Sequence, residues 1–332
     1  MSVEVILVHP SGGLVSPALL GELRRERGAD PLAAPASFVL PDHDPPTAKD
    51  LQADIELALE TLSNRWDNVK DGLSEMDTAR LRERWQLFLL RELGFEPHFQ
   101  RGGLAVGAEH FAITHLGWDD DEATAILLTV EDLDVKPGGR RRAPHDELQA
   151  YLNASETHRW GIAMSPTRLR IVRDFHHRRT RGYVEWELDA IFEARSYPDF
   201  LSLYRLAHAS RFIRDDDGLE PLERIYQRSL DAGVSIGRKL QPQVKRALET
   251  IANGVATPDL INQLADPGRA REFHRELLVL LYRILFLLFA ERRGLLPNSG
   301  VYAESYAVSG CASSLLGATT PLNRAGATCG KA

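Results

Sequence analysis

The stretch Trp160-Gly161-Ile162-Ala163-Met164-Ser165-Pro166-Thr167-Arg168-Leu169-Arg170-Ile171-Val172-Arg173 decides how this chain is read. Two apolar runs flank the turn signal Ser165-Pro166-Thr167, so 160–164 and 169–173 are expected to pair as a hairpin. Upstream, Ala125-Ile126-Leu127-Leu128-Thr129-Val130 has the length and apolarity of a buried strand. Downstream, Tyr183-Val184-Glu185-Trp186-Glu187 alternates with period two and is expected to be a further strand. Residues 145–153 read as a short helix, and short strands are expected around Leu104 and Val106 and at 110–113.

The flanks are helical. Leu51, Ile55, Leu59, Leu62, Trp66 and Val69 recur at three to four residues, with Thr47 or Asp50 available as the cap. A second helix is expected over about 77–93, with Leu81, Trp85, Phe88 and Leu89 on one face and Gly94 as its stop. From about 188 to 297 the period is that of helices, at 197–210, 219–232, 241–252 and 269–293, the last ending at Gly294 before Pro297. Residues 1–50 hold a short apolar run, a turn at 9–13, a short helix at 17–27, and an extended connector with five prolines. The fold class is therefore α+β. An N-terminal segment and proline-rich connector (1–50) precede an α/β domain (51–190) and a helical connector domain (191–300). The last stretch, 301–332, differs in kind. Eighteen of the 26 residues from 307 to 332 are Ala, Gly, Ser, Thr or Cys, and no acid follows Glu304, so a disordered or out-of-frame tail is expected there.

Composition narrows the function classes. A length of 332 residues suggests about two domains. A hydrophobic share of 43% with 26% charge excludes a wholly disordered chain. The two cysteines, Cys311 and Cys329, exclude a disulfide-stapled fold and a cysteine zinc site in the body of the chain, and they suit a reducing cytoplasm. The longest apolar segment, 277–290, has fourteen residues and contains Arg283. That is short of the roughly 20 needed to cross a bilayer, so it reads as a buried helix and no membrane partner is expected.

The net charge of −7 conceals an asymmetry. Residues 136–182 hold eleven cations, ten of them arginines, against four acids, a net +7, while the remainder carries −14. Arginine suits bidentate phosphate contacts, so DNA is the partner expected on one reading, with Arg140, Arg141, Arg142, Gln149, Arg168, Arg170 and Arg173 as the contacts. The other reading is an internal salt-bridge face against the acidic remainder.

Acids surround the 125–130 strand. Asp119, Asp120, Asp121 and Glu122 precede it, and Glu131, Asp132 and Asp134 follow it. Asp134-Val135-Lys136 fits the acid-x-lysine triplet of restriction-type nucleases, in which two acids hold magnesium and the lysine helps activate water. On that reading Asp121, Glu131, Asp134 and Lys136 are catalytic, and Glu131 and Asp134 are the Mg2+ ligands. Solvated loop acids are the alternative. The histidines His110, His115, His176 and His177 have no ligand spacing, and no Walker P-loop, nucleophile elbow or dinucleotide fingerprint is present.

Taken in order, Pro144-His145-Asp146-Glu147-Leu148-Gln149-Ala150-Tyr151-Leu152-Asn153, the hairpin, and Tyr183-Val184-Glu185-Trp186-Glu187-Leu188 resemble the amino-terminal region of type IIG-like restriction–modification enzymes. Those enzymes fuse a nuclease-like domain to a DNA adenine methyltransferase, with relatives in phage-defence systems such as DISARM and BREX. The segment 278–296 resembles the helix that precedes their methyltransferase domain. The resemblance covers roughly residues 1–306. It implies a restriction-nuclease-like α/β core, a helical connector, and then a methyltransferase domain that uses S-adenosylmethionine. The chain holds no Gly-rich cofactor turn, and its Asp44-Pro45-Pro46 leads into Thr47 where such enzymes carry an aromatic residue. Alone, it is therefore expected not to methylate DNA. Its role is expected to be DNA-backbone binding or docking onto the methyltransferase domain or other defence-system subunits. The alternatives are a magnesium-dependent endonuclease of the Pro-Asp…(Asp/Glu)-x-Lys type and a non-catalytic protein-binding scaffold.

Overall fold

A computed structural model describes residues 6–26, 31–41, 43–118, 120, 123–139, 142–175, 181–215, 217–296, 302, 307 and 308. Along them run β1 (Val8–Ser11), α1 (Pro17–Leu23), α2 (Ala48–Val69), α3 (Thr78–Leu81), a π-helical turn (Arg82–Gln86) and α4 (Leu87–Glu92). Then come β2 (His98–Phe99), β3 (Leu104–Val106), β4 (Glu109–Phe111), β5 (His115–Leu116), β6 (Ala125–Leu128), α5 (Pro144–Ala154), β7 (Trp160–Met164), β8 (Arg168–Arg173) and β9 (Tyr183–Glu187). The rest is helical: α6 (Leu188–Ala194), α7 (Tyr197–Ala207), α8 (Pro221–Val255), α9 (Pro258–Gln263) and α10 (Pro267–Arg292). The fold is α+β. The chain divides into two units, 1–235 and 236–332, and the first contains every described strand together with α6, α7 and the start of α8.

The expected hairpin is β7–β8, with Trp160 opposite Arg173 and Met164 opposite Leu169. It sits inside a seven-stranded mixed sheet of order β1-β9-β8-β7-β6-β5-β2, and β3–β4 form a separate ribbon. Among the described strands only β6 and β7 pair in parallel. Parallel neighbours need a crossover, and α5 supplies it. The crossover helix lies close on the sheet: a Cβ at Gly161 would meet the Ala125 carbonyl oxygen at 2.9 Å and the Leu148 side chain at 3.0 Å.

Alternation along the strands makes two faces. Ile126, Leu128, Ile162, Met164, Leu169, Ile171, Val184 and Trp186 point into the larger core, with Leu62, Trp66, Trp85, Leu89, Ile191 and Phe200 from the helices. Ala125, Leu127, Ala163 and Val172 point the other way, against Phe111, Leu148, Tyr151 and Leu152. The predicted caps hold: Thr47 Oγ1 accepts from the Asp50 amide at 3.2 Å, and Gly94 has φ 81° at the end of α4.

Three local expectations change. The turn expected at 9–13 starts as strand: His9, Pro10 and Ser11 belong to β1, which pairs antiparallel with β9 at the sheet edge, and the turn itself falls to Gly12 and Gly13 with φ 66° and 75°. Pro31 and Pro35 open 3-10 turns instead of an extended connector, since a fixed φ near −65° suits the first position of a helical turn. The helices expected at 219–232 and 241–252 are one helix, α8, which passes through Pro242; a proline removes one hydrogen bond there without ending it.

Candidate functional site

The parallel pair β6–β7 ends against the π-helical turn. Extra residues in a helical turn redirect side chains, and this turn aims three at the strand ends. Gln86 Nε2 donates to the carbonyls of Thr129 at 2.8 Å and Met164 at 3.1 Å. Trp85 Nε1 donates to Pro166 O at 2.7 Å, and Arg82 Nη2 to Leu128 O at 3.3 Å. At the start of β5 the neighbouring side chains are His115 and, just before the strand, Thr114, whose Oγ1 accepts from the Leu128 amide at 2.9 Å. Burial and the Arg82 cation push the His115 pKa down to about 4, so it is neutral at pH 7. The end of β6 therefore carries neutral and cationic side chains, and the acids come later.

Those acids face different surroundings, although Asp132 Oδ1 accepts from the Asp134 amide at 2.8 Å. Glu131 and Asp132 line an open groove of about 480 Å³ with Ser165, Thr167, Ser74 and Thr78. Asp134 instead faces arginines. Its carboxylate oxygens take Arg170 Nη1 at 2.9 Å and Nη2 at 2.6 Å, and Arg181 Nη1 at 2.5 Å. The hydrogen bond from Arg170 pulls the Asp134 pKa down to about 2. Lys136 is exposed. Asp121 lies outside the described residues. Among the described residues no group of three or more His, Cys, Asp or Glu is placed to hold a metal ion. The expected pair of Mg2+ ligands does not fit that ion as arranged. Asp134 would have to give up two guanidinium partners before it could coordinate, while Glu131 lines a groove with Asp132.

Arg170 is the hub of an ionic network. Alternation on β8 puts Arg168 and Arg170 on the face opposite Leu169 and Ile171, and the register sets Arg170 beside Glu185 of β9. Its Nε donates to Glu185 Oε2, and its guanidinium lies 4.3 Å from the centre of the Tyr183 ring. Burial works against the Arg170 cation, but Asp134 and Glu185 more than offset it and raise its pKa. Arg168 extends the network to Glu185 at 3.8 Å and Asp132 at 4.0 Å, and Arg181 joins Asp146 at 2.8 Å. Against it lies His145, fully buried, with neither ring nitrogen hydrogen-bonded. Burial, then Arg170 and Arg181, push its pKa down to about 3.

The remaining DNA-contact candidates are also tied internally. Arg142 pairs with Glu109 at 2.8 Å and Glu147 at 3.5 Å. Gln149 donates to Asn153 Oδ1 at 3.0 Å and to the Arg173 carbonyl at 2.8 Å, which fastens α5 to β8. Arg173 grips Glu223 of α8 at 2.9 Å and lies 4.5 Å from the Tyr226 ring centre. Every described arginine of the basic segment (142, 159, 168, 170, 173 and 181) lies within 4.0 Å of a carboxylate. Arg140 and Arg141 lie outside the described residues, as do Arg178 and Arg179 of the same segment. Sequence reasoning missed Glu185 and Glu223 as partners. Glu185 was open to discovery, since the alternation at 183–187 puts it on the face opposite Val184 and Trp186. Glu223 was not, because nothing local ties α8 to β8.

The second unit presents a different surface. Helix α10 is where the apolar segment 277–290 falls, but only Leu277 and Ala290 of the helix are buried. Leu278, Val279, Leu280, Tyr282, Leu285, Phe286, Leu287 and Phe289 are exposed large hydrophobic side chains. The expectation of a buried helix is thus corrected within this chain. The 277–290 stretch of α10 is apolar nearly all round apart from Arg283, a pattern that needs cover on more than one side. Among the described residues no helix is long and apolar enough to cross a membrane.

Comparison of the chain with protein-family models, with curated proteins and with solved structures finds no match.

Proposed function

We propose that this chain is the nuclease-like and helical-connector portion of a restriction–modification or phage-defence DNA adenine methyltransferase, and that it docks the methyltransferase domain rather than cutting DNA. The observation that carries this reading is the exposed apolar surface of α10. Eight large hydrophobic side chains in one helix exceed what a free surface normally shows and mark an interaction face. The order of the central strands supports the nuclease-like half. The antiparallel run β2-β5-β6, then the α5 crossover to a parallel β7 and the return strand β8, make a mixed sheet of the kind a nuclease-like core requires, whose site on this reading lies at the end of β6. Here Gln86, Arg82 and Thr129 gather at that end and Asp134 is engaged by arginines, which favours a core kept for support. S-adenosylmethionine chemistry belongs to the partner domain.

Mixing the purified full chain with a DNA adenine methyltransferase domain of the Asn-Pro-Pro-Tyr class tests this by gel filtration. A 1:1 complex lost in Leu285→Glu/Phe289→Glu is expected. No complex, or one indifferent to those changes, overturns docking. The same preparation should leave supercoiled plasmid intact with Mg2+. Nicking that disappears in Lys136→Ala would establish the endonuclease reading instead. Retention on duplex DNA that falls steeply with salt would restore the backbone-contact role, carried by cations beyond those tied internally.

A further inference from the structure

Helix α10 carries two apolar stripes that differ at their ends. Steps of three or four residues return to one face of a helix. Phe273, Leu277, Leu281, Ile284 and Leu288 follow those steps on one side, and each is buried or half-buried. Leu278, Tyr282, Leu285 and Phe289 follow them on the other side, and all four are exposed, Tyr282 at 71%. The same steps extend this outer stripe to Arg275 and Arg271 before it and to Arg292 after it, all three exposed. Arg293 stands beside Arg292, its guanidinium 5.4 Å from the centre of the Phe289 ring. The outer stripe therefore runs cation, apolar, cation. Arg275 and Arg292 are about 26 Å apart along the axis, at 1.5 Å per residue.

These cations are not used up as those of β8 are. The acids of α10 already have partners. Glu272 and Glu276 hold Arg269 at 2.8 Å and 3.4 Å, while Glu291 accepts from the Tyr302 hydroxyl at 3.0 Å and the Val308 amide at 2.7 Å. Arg271 Nε donates to the Pro267 carbonyl at 3.1 Å. Among the described residues no carboxylate pairs with Arg271, Arg275, Arg292 or Arg293.

A second copy of the chain is a poor match for this stripe. Antiparallel pairing about its centre sets Leu278 against Phe289 and Tyr282 against Leu285, but Arg275 against Arg292. Parallel pairing sets each arginine against itself. Like charges meet in both, and such juxtapositions are costly. A bilayer surface suits a helix whose opposite face is polar, and here the opposite face is the inner apolar stripe.

We infer that the outer stripe of α10 receives an amphipathic helix of a partner protein, apolar in its middle and acidic at both ends, with the acids spaced to meet Arg275 and Arg292. The apolar middle supplies affinity. The end charges fix the register and discriminate against a second copy. This rests on the docking role proposed for α10 and specifies what the docked surface presents. Self-association of the free chain works against its own cations, so an acid-ended helix displaces it.

Two labelled helical peptides test the match, each long enough to span both arginines and sharing one apolar stripe. One carries Glu at both ends and the other Lys. Fluorescence anisotropy follows their titration with the full chain. The Glu-ended peptide is expected to bind saturably, at least tenfold tighter than the Lys-ended one, and to weaken as salt rises. Arg275→Glu/Arg292→Glu should invert that preference. Both positions are exposed, so the helical melt should be unchanged; if it is lost, Arg275→Gln/Arg292→Gln carries the test and should abolish the preference. Equal binding of the two peptides, or a preference indifferent to these substitutions, overturns the inference. So does a failure of both peptides to bind at millimolar concentration, or α10-dependent binding to phosphatidylglycerol vesicles without any preference between the peptides. A methyltransferase-domain complex lost in Leu285→Glu/Phe289→Glu but intact in Arg275→Glu/Arg292→Glu would leave docking standing and remove the acid-ended helix. Peptide discrimination without that complex would keep the acid-ended helix and remove the methyltransferase domain as its source.

Discussion

Strand β8 and helix α10 invert the usual rule in opposite directions. Arg170 of β8 is 1% exposed, whereas Phe286 of α10 is 59% exposed. Each inversion has its own physical reason. Arg170, and largely Arg173, are inside because β9, the loop after β6 and the start of α8 bring carboxylates to them, so their charge is used up within the fold, while Arg168 at the strand's start stays half-exposed. The α10 side chains are outside because nothing described in their own unit supplies a matching apolar face. A charged residue can therefore be internal structure while an apolar one is the surface that looks for a partner.

The sharpest way to break the comparison is to remove the hub. Arg170→Met leaves the buried Glu185 with only the longer contact to Arg168 at 3.8 Å, and breaking one side of a buried pair costs up to about 3–5 kcal/mol. All five tryptophans lie in the first unit, so their emission during urea unfolding reads that unit alone. A second change, Glu185→Leu, in the same chain should recover most of the loss, because an apolar pair of similar volume replaces the ions. A loss below about 1 kcal/mol in Arg170→Met would mean that the network is solvated and that β8 resembles an ordinary charged surface.

Acid should weaken the same region next. His145 is neutral when folded, with its pKa down to about 3, and His208 is likewise pushed down to about 3, first by burial and then by Arg211. Both lie below the unfolded value near 6.5. The unfolded chain therefore binds protons that the folded chain refuses, and stability falls as pH drops from about 6.5 toward 3. Each histidine contributes about 1.4 kcal/mol per pH unit within that window. His145→Phe should flatten the dependence by about one proton, read from urea midpoints at pH 6.5 and 4.5. An unchanged slope would show that His145 is charged or solvated in the fold.

Strands β3, β4, β6, β7, β8 and β9, helix α5 and the caps were legible because their signals are local: alternation, a turn tripeptide, Thr47, Gly94; the two-residue β2 and β5, and β1 on residues that read as a turn, carry no such signal. The parallel pairing of β6 and β7 was implicit in a helix lying between two buried runs. What escaped was long-range. Glu223 meets Arg173 across 50 positions, and no local pattern announces such a pair. The excess of arginine over acid in 136–182 was real, but a charge count along the chain does not show that Glu109, Glu185, Glu220 and Glu223 fold onto it. The acids near 131–134 were likewise correct as residues and misleading as a set, because one turn of loop separates the groove-facing pair from the arginine-bound Asp134.

The smallest effect on stability should come from the residues that look most like a core in the sequence. Leu285→Glu and Phe289→Glu each replace an exposed side chain, so each should change the helical signal and its melting by no more than about 0.5 kcal/mol. A buried Leu or Phe would lose several times that when replaced by a charge, from the lost burial and the unpaired carboxylate together. Association should move in the other direction. The wild-type chain is expected to self-associate at micromolar concentration, and the double variant to run as a monomer, by light scattering across a dilution series. A cost of several kcal/mol would place these side chains in a core and make α10 a structural helix like α7. A monomeric wild type with an unchanged melt in the variants would leave the apolar surface without a partner and bring α10 closer to β8, whose unusual residues are satisfied within the chain.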